Sequence, residues 1–336
     1  MAKDWQWKVA LAAISVAAVT LIYSQRRRRW KAVGKLSKIC IYPLKSGRFK
    51  EISSAECTPL GLRVPSEDGA VMLRDRVFMI YDEEALEMVS ARKYPTLIFI
   101  TCQPTNRKTV ILSHPDKKEI EFPIPSGKFG EVTVRMWFNE QMKIMDCGDE
   151  VAEWISEVAT GSRKGLRLSY WPEEETERRD VLAKRPLEVP VFTKMSNNYS
   201  GAYSDFASYL LVCQSSVDDL NEKIGDPEYK AHPLDFRPNF VVEGTIPYEE
   251  DKWDRVKIGE VEFTNFRPCT RCIFTTIGHT TGEKNPKNEP LKTLRTYRTM
   301  KMVYDTDIEG SIPVMGVFVG LEAVGKVKEG DVVYVS

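Results

Sequence analysis

The run Arg267-Pro268-Cys269-Thr270-Arg271-Cys272-Ile273-Phe274-Thr275-Thr276 decides the reading of this chain. It places a C-x-x-C pair just after a strand-like stretch, Val261 to Phe266. A thiolate beside arginines is a soft anionic ligand in electropositive surroundings, which lower a thiol pKa and suit a soft metal or a redox cofactor. Three other readings stay open at this point. A structural zinc site needs four ligands; the chain has no second C-x-x-C, and His114, His232 and His279 lack an H-x3–5-H spacing, although His279 follows Cys272 closely enough to join in. A thioredoxin-like dithiol expects a helix opening at the first cysteine within a βαβ unit, whereas Ile273-Phe274-Thr275-Thr276 is β-branched and aromatic and reads as strand. The pair can also be plain core, because free cysteine is often simply buried.

Working outward, Phe236-Arg237-Pro238-Asn239 opens another strand-like run, Asn239 to Glu243. Strand patterns recur at Val256 to Phe266, Met315 to Leu321 and Val332 to Val335. Arg255 to Phe263 and Gly325 to Tyr334 resemble each other, each reading as strand, glycine turn, strand. The amino-terminal half is also strand-rich: Lys38 to Tyr42, Val71 to Tyr81 with arginines inside the run, Thr96 to Thr101 as a buried strand, then Thr109 to Leu112, Glu119 to Phe122 and Val132 to Trp137. Two helices stand out. Asp149-Glu150 precede Val151, Trp154, Ile155 and Val158 at helical spacing, and Ser216 with Asp219 reads as a capping-box start for a helix that Gly225 stops. The charge-dense stretch Trp171 to Pro186 reads as a surface linker, dividing residues 31–175 from 176–336.

The first 30 residues are a separate object. Val9 to Tyr23 is apolar and uncharged, long enough as a helix to span only about 22 Å of a hydrocarbon layer about 30 Å thick. Trp5, Trp7 and Tyr23 extend it as interfacial anchors, and Lys8 can snorkel. Arg26 to Arg29 follow directly, where a cleaved signal would want small residues. The pattern predicts a retained single-pass signal-anchor over residues 1–30 with the rest of the chain in the cytosol, in a thin intracellular membrane. It does not choose between the mitochondrial outer membrane and the endoplasmic reticulum.

The 336 residues carry 48 Lys and Arg against 48 Asp and Glu. That balance lacks the basic footprint of a general nucleic-acid binder. Apart from the C-x-x-C, the seven cysteines are scattered singly and form no disulfide framework, which reads as a reducing compartment. Neither a P-loop nor a G-x-G-x-x-G run is present, so a nucleotide-binding core is not expected.

Three elements together carry a family resemblance: the cysteine run, Phe236-Arg237-Pro238-Asn239, and Ile41-Tyr42-Pro43-Leu44-Lys45-Ser46. They resemble, in order, the cysteine motif of MOSC domains, their upstream R-P-N element, and the start of the β-barrel domain that precedes them. With the anchor and the length, the whole chain is similar to the mitochondrial amidoxime-reducing components, which are molybdenum enzymes. Moco sulfurases also carry a MOSC domain, but add a large desulfurase region for which this chain has no room.

The resemblance implies an α+β, predominantly β fold: an N-terminal β-barrel-like domain followed by a MOSC β-barrel domain, after a single N-terminal transmembrane helix. It implies that Cys272 ligates the molybdenum of a molybdenum cofactor, with Cys269 a neighbour. It further implies that Lys45, Ser46, Arg76, Ser204, Arg237, Asn239, Thr270 and Arg271 bind the pterin. Thr270 departs from the family's usual small Ser-like residue but keeps a hydroxyl. Asp205, in Tyr203-Ser204-Asp205, becomes a catalytic candidate, as proton donor or orienting group. The implied activity is two-electron reduction of amidoximes, N-hydroxyguanidines and hydroxylamines. Electrons would come from NADH through cytochrome b5 reductase and cytochrome b5, at the mitochondrial outer membrane. A basic docking face for acidic cytochrome b5 would draw on Arg163, Lys164 and Arg167, or Arg178, Arg179 and Lys184. Two alternatives remain: a cofactor carrier without turnover, and a tethered β-barrel adaptor with structural zinc.

Overall fold

The computed structural model describes residues 30–64, 73–105, 108–127, 129–172 and 179–336. The expected signal-anchor lies outside the described residues. Among them, no helix is long and apolar enough to cross a membrane.

Along the chain, strands β1 (Lys31–Ile41), β2 (Lys50–Ile52), β3 (Ser54–Thr58) and β4 (Gly61–Arg63) come first. Then follow β5 (Phe78–Asp82), β6 (Glu87–Met88), β7 (Thr101–Pro104), β8 (Thr109–His114) and β9 (Lys117–Pro123). Strands β10 (Thr133–Arg135), β11 (Gln141–Lys143) and β12 (Met145–Asp146) lead into helix α1 (Asp149–Thr160) and β13 (Leu166–Tyr170). The carboxyl-terminal half contains β14 (Tyr209–Cys213), α2 (Gln214–Ile224), β15 (Phe240–Glu243), β16 (Arg255–Ile258) and β17 (Val261–Thr270). It ends with α3 (Leu291–Tyr297), α4 (Met300–Tyr304), β18 (Val314–Leu321), β19 (Gly325–Lys328) and β20 (Val332–Val335). The fold is predominantly β with few helices, as expected.

Eight strands form one sheet in the order β15-β14-β18-β17-β16-β20-β1-β2, and the further pairing of β1 with β15 closes it into a barrel. Its interior is apolar, with Leu36, Ile39, Leu211, Phe240, Phe263 and Val333 all essentially inaccessible. The first strand, on the amino-terminal side of the expected linker, is thus a stave of the carboxyl-terminal barrel. One strand can pair with both β20 and β15 because β1 bulges twice. At Gly34 the partner backbone comes so close that a Cβ would meet Glu243 O at 2.1 Å. Only glycine fits there.

The amino-terminal half holds a six-stranded sheet, β11-β10-β6-β5-β13-β12, and the three-stranded sheet β7-β8-β9. Helix α1 covers this half through Val151 and Ile155, which join Phe78, Ile80, Leu166 and Leu168 in one core. Gly161 in the left-handed conformation ends the helix.

Several local expectations fail for identifiable reasons. Thr96 to Thr101 is not one strand: Pro95 opens a 3-10 turn to Phe99, and extended pairing starts only at Thr101. The arginines of the 71–81 run are not inside a strand. Arg74 and Arg76 precede β5, and Arg76 has a left-handed backbone (φ 50°). Ser216 lies within α2 rather than capping it; its hydroxyl donates to Glu250 and accepts from the Tyr248 amide. The two glycine-turn repeats diverge: β16 and β17 form a hairpin, whereas β19 pairs with β3 and β20 with β16. In the stretch expected as a surface linker, Arg179 is buried against Glu140.

Candidate functional site

Strand β17 delivers the cysteine motif. Register shifts between Asn265 and Arg267 and between Pro268 and Thr270 break its pairing with β18 and re-aim the side chains at its end. Cys269 is buried, whereas Cys272, just past the strand, is the exposed one of the seven cysteines. Burial pushes the Cys269 thiol up, which suits an inert neighbour. The run after Cys272 is not the expected strand but a 3-10 turn, Ile273–Thr276. The reason is local: the hydroxyls of Thr275 and Thr276 donate to the carbonyls of Cys272 and Ile273, at 3.0 and 2.8 Å.

Cys272 opens onto a cavity of about 930 Å³. From the carboxyl-terminal half, Thr270, Arg271, Arg237, Ser204 and Asp205 also line it; from the amino-terminal half come Lys45, Ser46 and Arg76. Asn239 is the only implied site residue behind the wall. Its Oδ1 accepts from Arg76 Nη1 at 3.4 Å and from the Leu210 amide, while its Nδ2 donates to Cys40 O. Asn239 therefore positions Arg76.

The loops that carry these side chains are sewn together by backbone groups. Tyr42 N donates to Asp75 Oδ1, Arg76 N to Tyr42 O, and Tyr203 N to Arg76 O. Ser46, Arg76, Phe138, Arg237 and Glu309 all line the cavity with left-handed backbones, five of the ten such non-glycine residues among the described residues. Each costs roughly 1–3 kcal/mol, and such strain gathers where geometry serves a ligand.

Within the basic cradle, Arg237 keeps an unspent buried donor. Arg237 stacks over Tyr42 at 4.2 Å, and its Nη1 donates to Gly47 O at 2.9 Å, but Nη2 is buried with no hydrogen-bond partner among the described residues. Burial, with Arg76 beside it, pushes Arg237 down to about 10. Arg76 stacks on the same Tyr42 ring from 4.9 Å and is ion-paired to Asp75. Buried Lys45 donates to Tyr203 O at 2.8 Å and pairs with Asp205. An anionic group entering here would meet the Arg237 donor, Arg76 and Lys45. Arg271 differs, because each of its guanidinium nitrogens already donates to a backbone carbonyl. Nε and Nη2 donate to Met315 O, and Nη1 donates to Phe236 O at 2.8 Å. Ser204 Oγ likewise accepts from the Gly201 amide, closing a turn.

Asp205 faces the cavity with its side chain 65% exposed. Its protein surroundings disfavour a charge there. Lys45, Arg76 and a 2.8 Å bond from Trp137 Nε1 outweigh this and hold the carboxyl well below the usual carboxylate range.

Sequence reading missed a further set of lining residues. Trp137, expected as a strand end, starts a turn in which Phe138 and Asn139 both have positive φ. Arg92 stacks on Trp137 at 3.9 Å, and Arg185 stacks on Phe138 at 4.0 Å and Phe206 at 4.3 Å. Glu188 then ties Arg185 to Arg267 of β17. The aromatic pair Trp137-Phe138 was the available signal; its backbone conformation was not visible in the residues.

The structural-zinc alternative loses ground. Among the described residues, no group of three or more His, Cys, Asp or Glu could hold a metal ion, as a structural zinc would need. His279 instead bonds Asp235 at 2.7 Å. Of the docking candidates, Arg179 is buried, Arg167 is paired with Asp146 and Asp149, and Arg163 pairs with Glu153; Arg178 lies outside the described residues. The residues do fit a molybdenum cofactor. An accessible thiol can complete a sulfur-rich metal set, and a cradle with an orphaned donor can take an anionic group.

Comparison with known proteins gives the same answer. Residues 33–161 match the MOSC N-terminal beta barrel domain and residues 198–334 the MOSC domain. Mitochondrial amidoxime-reducing component 1 of Mus musculus is 32% identical, over 98% of this chain and 92% of that protein. Mitochondrial amidoxime reducing component 2 of Homo sapiens is 32% identical over 99% and 95%. Mitochondrial amidoxime-reducing component 1 of Danio rerio is 32% identical over 98% and 95%. With the cysteine run, the basic cradle and both domains in place along nearly its whole length, this chain belongs to the family of mitochondrial amidoxime-reducing components.

Proposed function

We propose that the chain is a molybdenum-cofactor-dependent reductase of N-hydroxylated compounds: amidoximes, N-hydroxyguanidines and hydroxylamines. The observation that carries this reading is the accessible Cys272 thiol opening onto the same cavity as the orphaned donor of Arg237. When bound, the cofactor supplies the two-electron redox chemistry at its metal. The overall reaction takes the substrate, two electrons and two protons to the N–H product and water.

The chain's own residues do the rest. Cys272 offers the protein thiolate. Arg237, Arg76 and Lys45 meet the negative charge of the pterin phosphate, with Ser46, Ser204 and Thr270 on the same walls. Arg271 acts mainly as a brace, its guanidinium held by the carbonyls of Met315 and Phe236. Asp205, held ionised, accepts hydrogen bonds from substrate N–H groups and favours a cationic amidine product.

Electrons are proposed to arrive from NADH through cytochrome b5 reductase and cytochrome b5. Residues 1–30 would hold the chain in the mitochondrial outer membrane. The test uses the full chain from a host that makes the cofactor, beside Cys272→Ala. Near-stoichiometric molybdenum, NADH oxidation driven by benzamidoxime with the cytochrome pair, and at least about a hundredfold loss in the variant are expected. Molybdenum without turnover would instead mark a carrier.

A further inference from the structure

We infer that Phe138 is a specificity-determining residue: the wall that receives the flat, unsaturated part of the substrate, beside an Asp205 that takes its N–H end. The substrate class selected is planar N-hydroxylated compounds with an aryl group next to the N–O-bearing carbon. This rests on the reductase reading above.

The argument starts from what is already occupied. Trp137 has one ring face under Arg92 and its indole N–H on Asp205, so it is committed to the protein. Phe138 is adjacent and lines the same cavity. One of its faces meets the Arg185 guanidinium, yet 55% of the residue stays exposed. An exposed aromatic is ordinary on a convex surface. This one lines a concave wall and is held there by two successive left-handed residues, Phe138 (φ 58°) and Asn139 (φ 60°). L-residues adopt that geometry only when the surroundings impose it.

Arg185 braces the ring. It sits between Phe138 and Phe206, and Glu188 fixes it at 2.8 Å. Glu188 also accepts from Arg267 Nε at 2.6 Å, on the strand that ends in the cysteine motif. The Phe138 ring is therefore held in register with the reaction centre rather than mobile at the rim. Aromatic rings prefer offset or edge contacts with other π systems, and a preset ring gives such a contact with little ordering cost. The Asp205 carboxylate lies next along this wall through Trp137, so one planar molecule can use both.

The test is binding first, turnover second. The cofactor-loaded full chain, without an electron donor, is titrated calorimetrically with benzamidoxime and with acetamidoxime, which replaces the ring by a methyl. Phe138→Leu keeps apolar bulk but removes the π face; Phe138→Tyr keeps the face. The Leu variant is expected to lose about tenfold in its preference for benzamidoxime over acetamidoxime, and the Tyr variant to stay within about twofold of the parent. In turnover the same loss should appear in KM rather than kcat. Equal weakening for both compounds, an unchanged preference, or a parent that does not bind benzamidoxime overturns the assignment. A parent that binds benzamidoxime but never reduces it counts against the reductase reading and leaves the Phe138 wall standing.

Discussion

Arg271 and Arg185 both bring a guanidinium to the cavity, and they are held by different forces. Arg271 is locked by carbonyl acceptors on Met315 and Phe236. Arg185 has one carboxylate, Glu188, and otherwise rests on the faces of Phe138 and Phe206. Hydrogen bonds to a charged donor are directional and costly to leave unmade. Stacking is weaker and tolerates sliding. The wall around Cys272 is therefore built for fixed geometry, as a cofactor needs. The Phe138 wall is held by stacked faces and a single carboxylate instead.

This contrast can be broken in order of expected effect. Arg271→Met leaves buried carbonyls without donors and should lower unfolding free energy by about 4 kcal/mol in denaturant titration; a loss under about 1 kcal/mol would end the claim of a locked wall. The hydrogen-bonded half also contains Glu250, fully buried, whose carboxyl is pushed up to about 7 from an ordinary 4.5 by burial, with Asp251 beside it. The folded chain therefore keeps a proton that the unfolded chain releases. That contribution is complete below about pH 4.5 and is lost as pH rises through about 7. Relative to the parent, Glu250→Gln should gain up to about 3 kcal/mol between pH 5 and pH 8. A pH-independent difference would show that Glu250 does not titrate there.

Arg237→Met sharpens the comparison by its sign. Arg237 keeps an unused buried donor, so the cofactor-free chain should change by less than about 1 kcal/mol. The molybdenum content of the purified protein should nevertheless fall severalfold. Smallest of all, Arg92→Ala removes one exposed stacking contact with Trp137, worth about 0.5–1 kcal/mol. It should be nearly silent in thermal melts; a large loss there would mean the stacked side is as rigid as the other.

The same contrast explains what could be read from the residues. Several barrel strands were legible as runs of β-branched and aromatic residues, though the fully buried β14 was not read, and the cysteine run and Arg237-Pro238-Asn239 were legible because their chemistry is unusual. What resisted reading was set by backbone conformation or by distant partners. The residues give no sign that Arg76, Phe138 and Arg237 adopt positive φ. Thr275 and Thr276 look like strand formers until their hydroxyls turn back onto the chain. Arg179 sits in a charge-dense stretch that suggests solvent, yet Glu140 and the carbonyls around Ser204 draw it inward.

The pairing of Lys31 with Val335 has a further meaning for how the protein is made. The stave at Lys31–Ile41 has to wait until Val332–Val335 has been synthesised before the barrel can close. Such long-range pairing slows folding and exposes unpaired edges meanwhile. Until then the cysteine motif on the barrel has no closed wall behind it.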